Sequence, residues 1–410
     1  MSFRSPYPDV EIPDVPLTEL IFAEVGARAD RPALVDGISG QSITYGELQV
    51  LVSRVAGALA GRGVGQGDVV AMFAPNSPSY AVVFHAVLRV GAVVTTVNSL
   101  YTPDDLAGQL RDSGAKLLVT VAPFLDRAAA AVAQQGVSVD ETVVLDGAPG
   151  YPSLADLLAQ DAVLPQVRID PGADLAVLPY SSGTTGTAKG VLLTHRNLVA
   201  NLLQAHALLE VGPATRILAV LPFFHIYGLM VLLNHGLYAG ATVVTLPRFD
   251  LETFLRTIQD YRTDRVYIAP PVAVALAKHP LVDRFDLSAI EVLFSGAAPL
   301  DAELAEAVRA RLGCKVRQGY GMTEMSPVSH GIPVHRDDIP VGTVGVTVPN
   351  MECKIVDPLT GQEVGPGRLG ELCCKGPNVM AGYLHDAEAT AATLDPAGYL
   401  HTGDLATVDA

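Results

Sequence analysis

The first part of the chain alternates short apolar, β-branched runs with segments whose apolar residues recur at helical spacing. The apolar runs are Asp68–Met72, Ala92–Val97, Lys116–Val121 and Thr142–Leu145. The segments with helical spacing are Tyr45–Leu59, Ser77–Val90 and Pro103–Arg111. Ser77 and Thr102 each precede a proline, so each hydroxyl can cap a helix that begins at that proline. Strands that alternate with helices in this way predict a largely parallel sheet covered on both faces.

The same alternation begins again after the Pro- and Gly-containing segment Pro165–Gly172. The predicted strands are Leu175–Tyr180, Arg216–Leu221, Ala241–Leu246, Arg265–Ile268 and Ile290–Phe294. The predicted helices are Arg196–Leu209, Leu251–Tyr261 and Ala302–Leu312, the last two capped by Asp250 and Asp301. This pattern indicates a second α/β unit of similar size.

The helical period disappears beyond about Pro333, where apolar runs alternate with Gly/Pro turns. These runs are Val341–Val348, Cys353–Val356 and Glu371–Lys375. They predict a small antiparallel sheet or barrel. The expected fold is therefore α/β, with two stacked, predominantly parallel-sheet subdomains and a small β-barrel-like subdomain. We place the subdomains at residues 1–170, 171–332 and 333–410.

Composition narrows the functional classes. The 410 residues are 49% hydrophobic and carry a net charge of −16, which excludes a disordered chain and argues against nucleic-acid binding. The uncharged run between Arg216 and Arg248 is broken by proline, histidine, asparagine and glycine, so we expect no membrane insertion. The N-terminus lacks the pattern of a signal peptide, and the four cysteines lack zinc-ligand spacing. We therefore expect a cytoplasmic protein with reduced thiols; its oligomeric state is left open.

The segment 180–190 leaves an apolar strand and contains glycines, hydroxyl side chains and one lysine. It reads YSSGTTGTAKG, with Lys189 as its one lysine. Glycines let several backbone N–H groups face one point, hydroxyls add donors, and the lysine adds a positive charge, so the segment suits a polyphosphate. The glycine–lysine spacing is not that of a Walker A loop, and an ordinary flexible loop is the alternative interpretation.

Three further segments carry candidate chemistry. In the segment 318–324, Tyr320 offers a ring for stacking, Thr323 a donor, and Glu324 a hard oxygen ligand for magnesium. His225 lies in an apolar run, and Asp404 follows a glycine turn where it can accept both hydroxyls of a ribose. Taken one at a time, these residues are also consistent with a turn bearing a solvated glutamate, a core histidine and a surface turn.

Together the segments YSSGTTGTAKGV, LPFFHIYGL, SGAAPL, QGYGMTE and YLHTGD resemble the adenylate-forming superfamily, which includes acyl-CoA synthetases, peptide-synthetase adenylation domains and beetle luciferases. The chain is most similar to the 4-coumarate–CoA ligases, from about Ile43 to Ala410. This resemblance implies a two-step reaction: a carboxylic acid and Mg-ATP give an acyl-AMP, and coenzyme A then takes the acyl group. ATP, Mg²⁺ and coenzyme A are thus the implied cofactors, and a small carboxylic acid is the implied substrate.

The resemblance also implies residue roles. Thr323 contacts the α-phosphate, Glu324 holds magnesium, and His225 is a gate between the acyl and nucleotide sites. The residues implied to hold the triphosphate are Ser181, Ser182, Gly183, Thr184, Thr185 and Lys189. The implied adenine and ribose site consists of Gln318, Gly319, Tyr320, Ala297, Ala298 and Asp404. The implied acyl pocket is lined by Tyr227, Val231, Ala297, Gly321, Pro327 and Val328. Arg248 is expected near the point where coenzyme A enters.

Two features depart from the family pattern. Ala188 replaces a proline that is usual there, and the sequence ends at Ala410, where these ligases normally continue into a C-terminal domain with a catalytic lysine. We therefore expect the 410 residues to bind ATP and carboxylate, to adenylate weakly and to form thioesters hardly at all. Val231 stands where hydroxycinnamate ligases often have a small polar residue, so we expect an apolar aromatic or cinnamate-like acid, in phenylpropanoid chemistry.

Three alternatives remain. One is another adenylating enzyme, acting on medium- or long-chain fatty acids or resembling luciferase. The second is a non-catalytic module that binds a nucleotide and an acid, which the intact Lys189, Thr323 and Glu324 speak against. The third is a P-loop NTPase, which the glycine–lysine spacing disfavours.

Overall fold

The computed structural model describes residues 2–181 and 188–409, and its strands form three sheets. The predicted phosphate ligands Ser182, Gly183, Thr184 and Thr185 lie outside the described residues. The two larger sheets are mostly parallel and the third is antiparallel. This is the α/β class that the hydrophobic pattern predicts.

The first sheet has eight strands, of which five run parallel in its middle and at one edge. The parallel strands in spatial order are Leu175–Val177, Val93–Thr96, Val69–Phe73, Leu117–Thr120 and Glu141–Val144. Antiparallel strands extend the other edge: Lys189–Thr194, which pairs with Leu175–Val177, and then Gly382–Tyr383 and Tyr180–Ser181. The edge strands bring a segment from late in the chain beside the predicted phosphate-binding lysine.

The second sheet has nine strands, with six parallel strands between antiparallel edges. In spatial order they are Val346–Thr347, Val328–Gly331, Lys315–Gly321, Val292–Ser295, Arg265–Ile268, Arg216–Ala219, Thr242–Thr245, Pro32–Asp36 and Ser42–Thr44. The third sheet has four strands: Ser2–Arg4, Glu352–Val356, Gly370–Lys375 and Leu400–Ala406. The sequence predicts either a small antiparallel sheet or a barrel in this region, and the described residues form a four-stranded antiparallel sheet.

The helices begin where the sequence places caps. The Ser77 hydroxyl accepts the N–H of Tyr80, and the Asp250 carboxylate accepts that of Thr253. The α-helices are Leu17–Phe22, Tyr45–Gly61, Pro78–Arg89, Pro103–Ser113, Leu125–Val132, Leu154–Leu158, His195–Leu209, His235–Tyr238, Leu251–Tyr261, Pro270–Lys278, Ala302–Leu312 and Ala387–Thr393. Short 3₁₀ turns are Val25–Arg28, Ala122–Phe124, Pro280–Arg284 and Thr323–Met325, and a π-helix spans Tyr227–Asn234. No helix among the described residues has both the length and the apolar content to span a bilayer.

One apolar core joins the sheets. It contains Val94 of the first sheet, Val243 of the second, Cys353 of the third, and Leu198 from the helix His195–Leu209. The strands of the two larger sheets also do not follow one another in separate blocks along the chain. Pro32–Asp36 and Ser42–Thr44 belong to the second sheet, whereas Leu175–Val177 and Lys189–Thr194 belong to the first. The division at 1–170, 171–332 and 333–410 therefore remains a proposal about folding units rather than a description of the sheets.

Candidate active site

A cavity of about 510 Å³ opens between the first and second sheets, a size typical of small-molecule sites. Many of its lining residues lie at or just after the carboxyl ends of second-sheet strands, where open α/β sheets usually bind ligands. The predicted residues that line it are Ser181, His225, Tyr227, Val231, Ala297, Gly319, Tyr320, Gly321, Thr323, Glu324, Pro327, Val328 and Asp404. The fold thus brings residues more than two hundred positions apart in sequence into one cavity.

Four predicted residues that the structure describes lie outside this lining. Lys189 follows the lining residue Ala188 and lies at the edge. Gln318 is buried; its amide oxygen accepts the N–H of Leu300, and its amide nitrogen donates to the Leu300 and Val341 carbonyls, so it supports backbone instead of facing the cavity. Exposed Ala298 and exposed Arg248 do not line it either. Their predicted binding roles remain predictions.

Glu324 is the most buried charged group of the cavity, with 4% of its surface exposed. It lies in the turn Thr323–Met325, and its Oε1 accepts hydroxyl hydrogens from Ser181 at 2.9 Å and from Tyr383 at 3.0 Å. Among the described residues, none donates to its Oε2. A buried carboxylate held through one oxygen, with the other available, suits Mg²⁺, which proteins usually bind through one or two carboxylates beside substrate phosphates. The donor set therefore fits the predicted metal.

Lys189 has a carboxylate and an aromatic ring as neighbours. Its Nζ lies 3.4 Å from Asp386 Oδ2 and 5.2 Å from the centroid of the Tyr383 ring. The pKa of Asp386 is lowered, chiefly by the hydrogen bond from the Ala389 N–H and further by Lys189. Because both side chains of the ion pair are partly exposed, the pair is a weak one that a more highly charged anion can displace.

Asp404 and Tyr320 form a second polar pair in the cavity lining. The Tyr320 hydroxyl donates to Asp404 Oδ2 at 2.6 Å, and burial together with this hydrogen bond raises the pKa of the tyrosine. The sequence predicts a glycine turn before Asp404, but both residues lie within the strand Leu400–Ala406, where Gly403 has φ +73°, a left-handed conformation that favours glycine. The Gly403 N–H donates to Glu371 Oε1 at 2.9 Å, so a carboxylate of the neighbouring strand fixes this irregular backbone.

The apolar end of the cavity is built on the π-helix Tyr227–Asn234. Gly228 is required there, because a Cβ atom would lie 2.2 Å from the Pro222 carbonyl oxygen. Val231 is 4% exposed, and apolar residues continue the same wall: Ala205, Leu208, Leu209 and Phe294. His225, at the start of this segment, accepts the Tyr227 N–H through Nδ1 at 3.3 Å, and desolvation lowers its pKa.

Sequence reasoning missed one wall of the cavity and one residue at its edge. This wall comes from the end of the strand Val93–Thr96, the helix Pro103–Ser113 and the connection between them, which carry no motif. Its residues are Thr96, Asn98, Tyr101 and Gln109. A partial signal was available for this wall, since Tyr180 directly precedes Ser181 and also lines the cavity. The missed residue at the edge is Tyr383, whose hydroxyl donates to Glu324.

Comparison with known proteins identifies relatives of this arrangement. The family described as AMP-binding enzymes matches residues 21–384. The chain is 42% identical to 4-coumarate–CoA ligase 5 of Oryza sativa subsp. japonica over 99% of its own length and 76% of that protein, and 38% identical to a 4-coumarate–CoA ligase of Vanilla planifolia with the same coverage. Among solved structures, ATP-bound MatB from Rhodopseudomonas palustris matches with a TM-score of 0.85 at 33% identity, covering 96% of this chain and 77% of that one. The anthranilate CoA ligase AuaEII with anthranoyl-AMP matches with a TM-score of 0.89 at 25% identity, covering 98% of this chain and 76% of that one.

Proposed function

Because the chain belongs to the family of AMP-binding enzymes, we propose that it serves as a carboxylate–CoA ligase for an aromatic, cinnamate-like acid. In the first step a carboxylate oxygen attacks the α-phosphorus of ATP, and the bond to the β-phosphate breaks with release of pyrophosphate. In the second step the coenzyme A thiolate attacks the acyl carbonyl, and AMP leaves with the bonding electron pair. The first step requires no protein general base, because the attacking carboxylate is already ionised; in the second step the coenzyme A thiol gives up its proton to solvent water as the thiolate forms.

The observation that carries this proposal is the continuity of one cavity between polar and apolar ends. Glu324, Thr323 and Asp404 line the polar part, and Val231 with its apolar neighbours lines the other. A ligand that bridges the two parts must be polar at one end and apolar at the other. An acyl-AMP has this character, with its mixed anhydride placed between the two environments.

The proposed residue roles follow from charge and position. Bound Mg²⁺, held by Glu324, would neutralise phosphate charge. Lys189 supplies further positive charge at the cavity edge, and the Thr323 hydroxyl donates to the α-phosphate. Tyr320 and Ala297 flank the adenine, and the exposed Asp404 carboxylate accepts the ribose hydroxyls. Catalysis by these groups is positioning and charge stabilisation.

The proposed role of His225 is that of a gate between the acyl and nucleotide sites. It lines the cavity and precedes the π-helix Tyr227–Asn234 in the sequence. Desolvation lowers its pKa and so disfavours the charged imidazolium. Its side chain therefore acts by filling or clearing the passage between the two subsites.

The acid specificity is proposed from the apolar end. An apolar pocket discriminates only about 10- to 200-fold per methylene, whereas a pocket that pairs a substrate hydroxyl rejects the analogue without it by about 10⁴-fold. Val231 cannot pair a phenol hydroxyl. We therefore propose relaxed specificity among aromatic and aryl-propenoic acids, with no requirement for a ring hydroxyl.

Carboxylate-dependent exchange of pyrophosphate into ATP tests this function. We expect weak exchange with cinnamate-like acids, and a further loss of at least tenfold in Glu324→Gln, which removes one charged metal ligand. Glu352→Gln is the matched control, since Glu352 also accepts a tyrosine hydroxyl, from Tyr399 at 2.7 Å, but does not line the cavity. No exchange with any acid in a broad aromatic and aliphatic panel, in a chain that binds ATP, would favour the non-catalytic module instead. Exchange only with aliphatic acids would favour a fatty-acid ligase.

A further inference from the structure

Tyr383 contacts both charged groups that the proposed function assigns to the triphosphate and its metal. Its hydroxyl donates to Glu324 Oε1 at 3.0 Å. Its ring lies beneath the Lys189 ammonium, with Nζ 5.2 Å from the ring centroid. Tyr383 is 59 residues from Glu324 in sequence and much farther from Lys189, so only the fold brings the three side chains together.

We propose that Tyr383 is a positioning residue that holds Glu324 and Lys189 in the arrangement needed to bind Mg-ATP. This role rests on the proposed function, since it concerns the same nucleotide site. It divides into two parts, because the hydroxyl acts on the carboxylate and the ring acts on the lysine. The two parts can be separated by substitution.

The hydroxyl part follows from the hydrogen bonds of Glu324. Ser181 and Tyr383 donate to the same oxygen, Oε1, from two short strands that both pair with Lys189–Thr194. Two donors on one oxygen fix the rotation of the carboxylate and leave Oε2 for a metal. Ligating carboxylates are commonly fixed by such hydrogen bonds, and their loss typically costs about 10- to 100-fold in metal affinity.

The ring part follows from the surroundings of Lys189. The ammonium is attracted to the ring face and to Asp386, which lies 3.4 Å away. Tyr383 is itself fixed, because its strand pairs with Lys189–Thr194 and its N–H donates to the Thr390 hydroxyl at 2.9 Å. The ring therefore restricts the lysine to the cavity edge without neutralising its charge, so the ammonium remains available to meet a phosphate.

The chain contains a matched arrangement outside the cavity. Tyr399 donates to Glu352 Oε1 at 2.7 Å, and Lys354 Nζ lies 4.0 Å from its ring centroid. Tyr399→Phe therefore removes the same kind of hydrogen bond beside the same kind of lysine. It serves as the control for any general effect of losing a tyrosine hydroxyl.

Direct ATP binding, measured by titration calorimetry with excess Mg²⁺ and with EDTA, tests the two parts. For Tyr383→Phe we expect affinity with Mg²⁺ to fall about tenfold and affinity in EDTA to stay within about twofold, because the ring remains over Lys189. For Tyr383→Leu we expect affinity to fall under both conditions. For Tyr399→Phe neither affinity should change. Thermal unfolding of each variant checks that it is folded.

The outcomes separate this role from the proposed function. If the wild-type chain binds Mg-ATP and Tyr383→Phe binds it equally well, Tyr383 does not position Glu324. If Tyr383→Phe loses affinity equally with and without Mg²⁺, the hydroxyl does not act through the metal carboxylate, and the role is again refuted. If the wild-type chain binds no Mg-ATP, the proposed function itself fails. A folded Tyr383→Leu with unchanged affinity in EDTA would overturn the ring part.

Discussion

Replacing Val231 by threonine tests whether the apolar end of the cavity sets the acid specificity. The two side chains have nearly the same shape, so the substitution adds a hydroxyl without a large change in volume. Val231 is 4% exposed and lines the cavity. Before the acid binds, water can solvate the new hydroxyl, but a bound aromatic ring displaces that water.

The expected magnitude follows from this desolvation. A hydroxyl buried without a hydrogen-bond partner costs about 1–3 kcal/mol, and about 1.4 kcal/mol corresponds to a factor of ten. An acid without a ring hydroxyl, such as cinnamate, leaves the introduced threonine hydroxyl unpaired in the complex. An acid with a 4-hydroxyl, such as 4-coumarate, can pair with it. We therefore expect kcat/KM for cinnamate to fall about tenfold in Val231→Thr, while that for 4-coumarate is unchanged or rises.

The assay is the initial rate of pyrophosphate exchange for each acid over a range of concentrations, with the ratio of the two kcat/KM values as the readout. Val308→Thr is the control, because Val308 is fully buried in the helix Ala302–Leu312 and does not line the cavity. It should lower stability without changing the ratio. A ratio in Val231→Thr within twofold of the wild type would show that this wall does not contact the ring. A wild-type chain that prefers 4-coumarate by several orders of magnitude would refute the proposed specificity.

Two further predictions concern backbone space and pH. In Gly321→Ala the new Cβ would lie 2.1 Å from the Pro327 carbonyl oxygen, so we expect the free energy of unfolding to fall by about 1–3 kcal/mol and exchange to fall at least tenfold. The control is Gly108→Ala, which has open space in a helix and should gain about 0.5–1 kcal/mol. Equal stability of the two variants would contradict the clash. Burial lowers the pKa of His85 and of His235 to about 3, whereas unfolding restores about 6.5. As pH falls, these histidines therefore become protonated in the unfolded chain before they do so in the folded one. Each should lower the free energy of unfolding by about 1 kcal/mol between pH 7 and 5.5. Urea unfolding that gives the same free energy at both pH values would be inconsistent with neutral buried imidazoles.

Local structure was largely predictable because it depends on local patterns. The predicted helices Leu251–Tyr261 and Ala302–Leu312 and the strand Arg265–Ile268 have the same bounds in the structure. Their apolar spacing and their capping aspartates act within a few residues. Val341–Val348, in contrast, is a strand only at Val346–Thr347, because the remaining residues find no partner strand in the described part of the chain.

Pairings between distant segments were not predictable in the same way. Pro32–Asp36 pairs with Thr242–Thr245, more than two hundred residues later, and nothing in either segment specifies the other. The π-helix Tyr227–Asn234 was missed as well. Its run of apolar residues is compatible with any buried element, and the contact of Gly228 with the Pro222 carbonyl appears only in the folded chain.

In the candidate site, too, residues in short motifs could be predicted, whereas residues defined by contacts between distant segments could not. Motif residues such as Thr323 and Asp404 could be found because short segments carry their chemistry, although their assigned roles remain proposals. Tyr383 could not, because its significance lies in two contacts with side chains from other motifs. A tyrosine in a turn has no chemical signal of its own until its neighbours are known.

The charge of the molecule constrains how such a site can bind its proposed ligands. The chain carries a net charge of −16, and ATP, a carboxylate and coenzyme A are all anions. Among the described residues that line the cavity there is no lysine or arginine, while Glu324 and Asp404 are both present. Lys189 stands at the edge and is paired with Asp386. Metal-free ATP therefore meets two carboxylates and one partly neutralised cation. In the proposed role of Glu324, bound magnesium would turn this repulsive carboxylate into a ligand. We therefore expect nucleotide affinity to depend far more on Mg²⁺ than on the long-range field of the protein, which salt screens within about 10 Å.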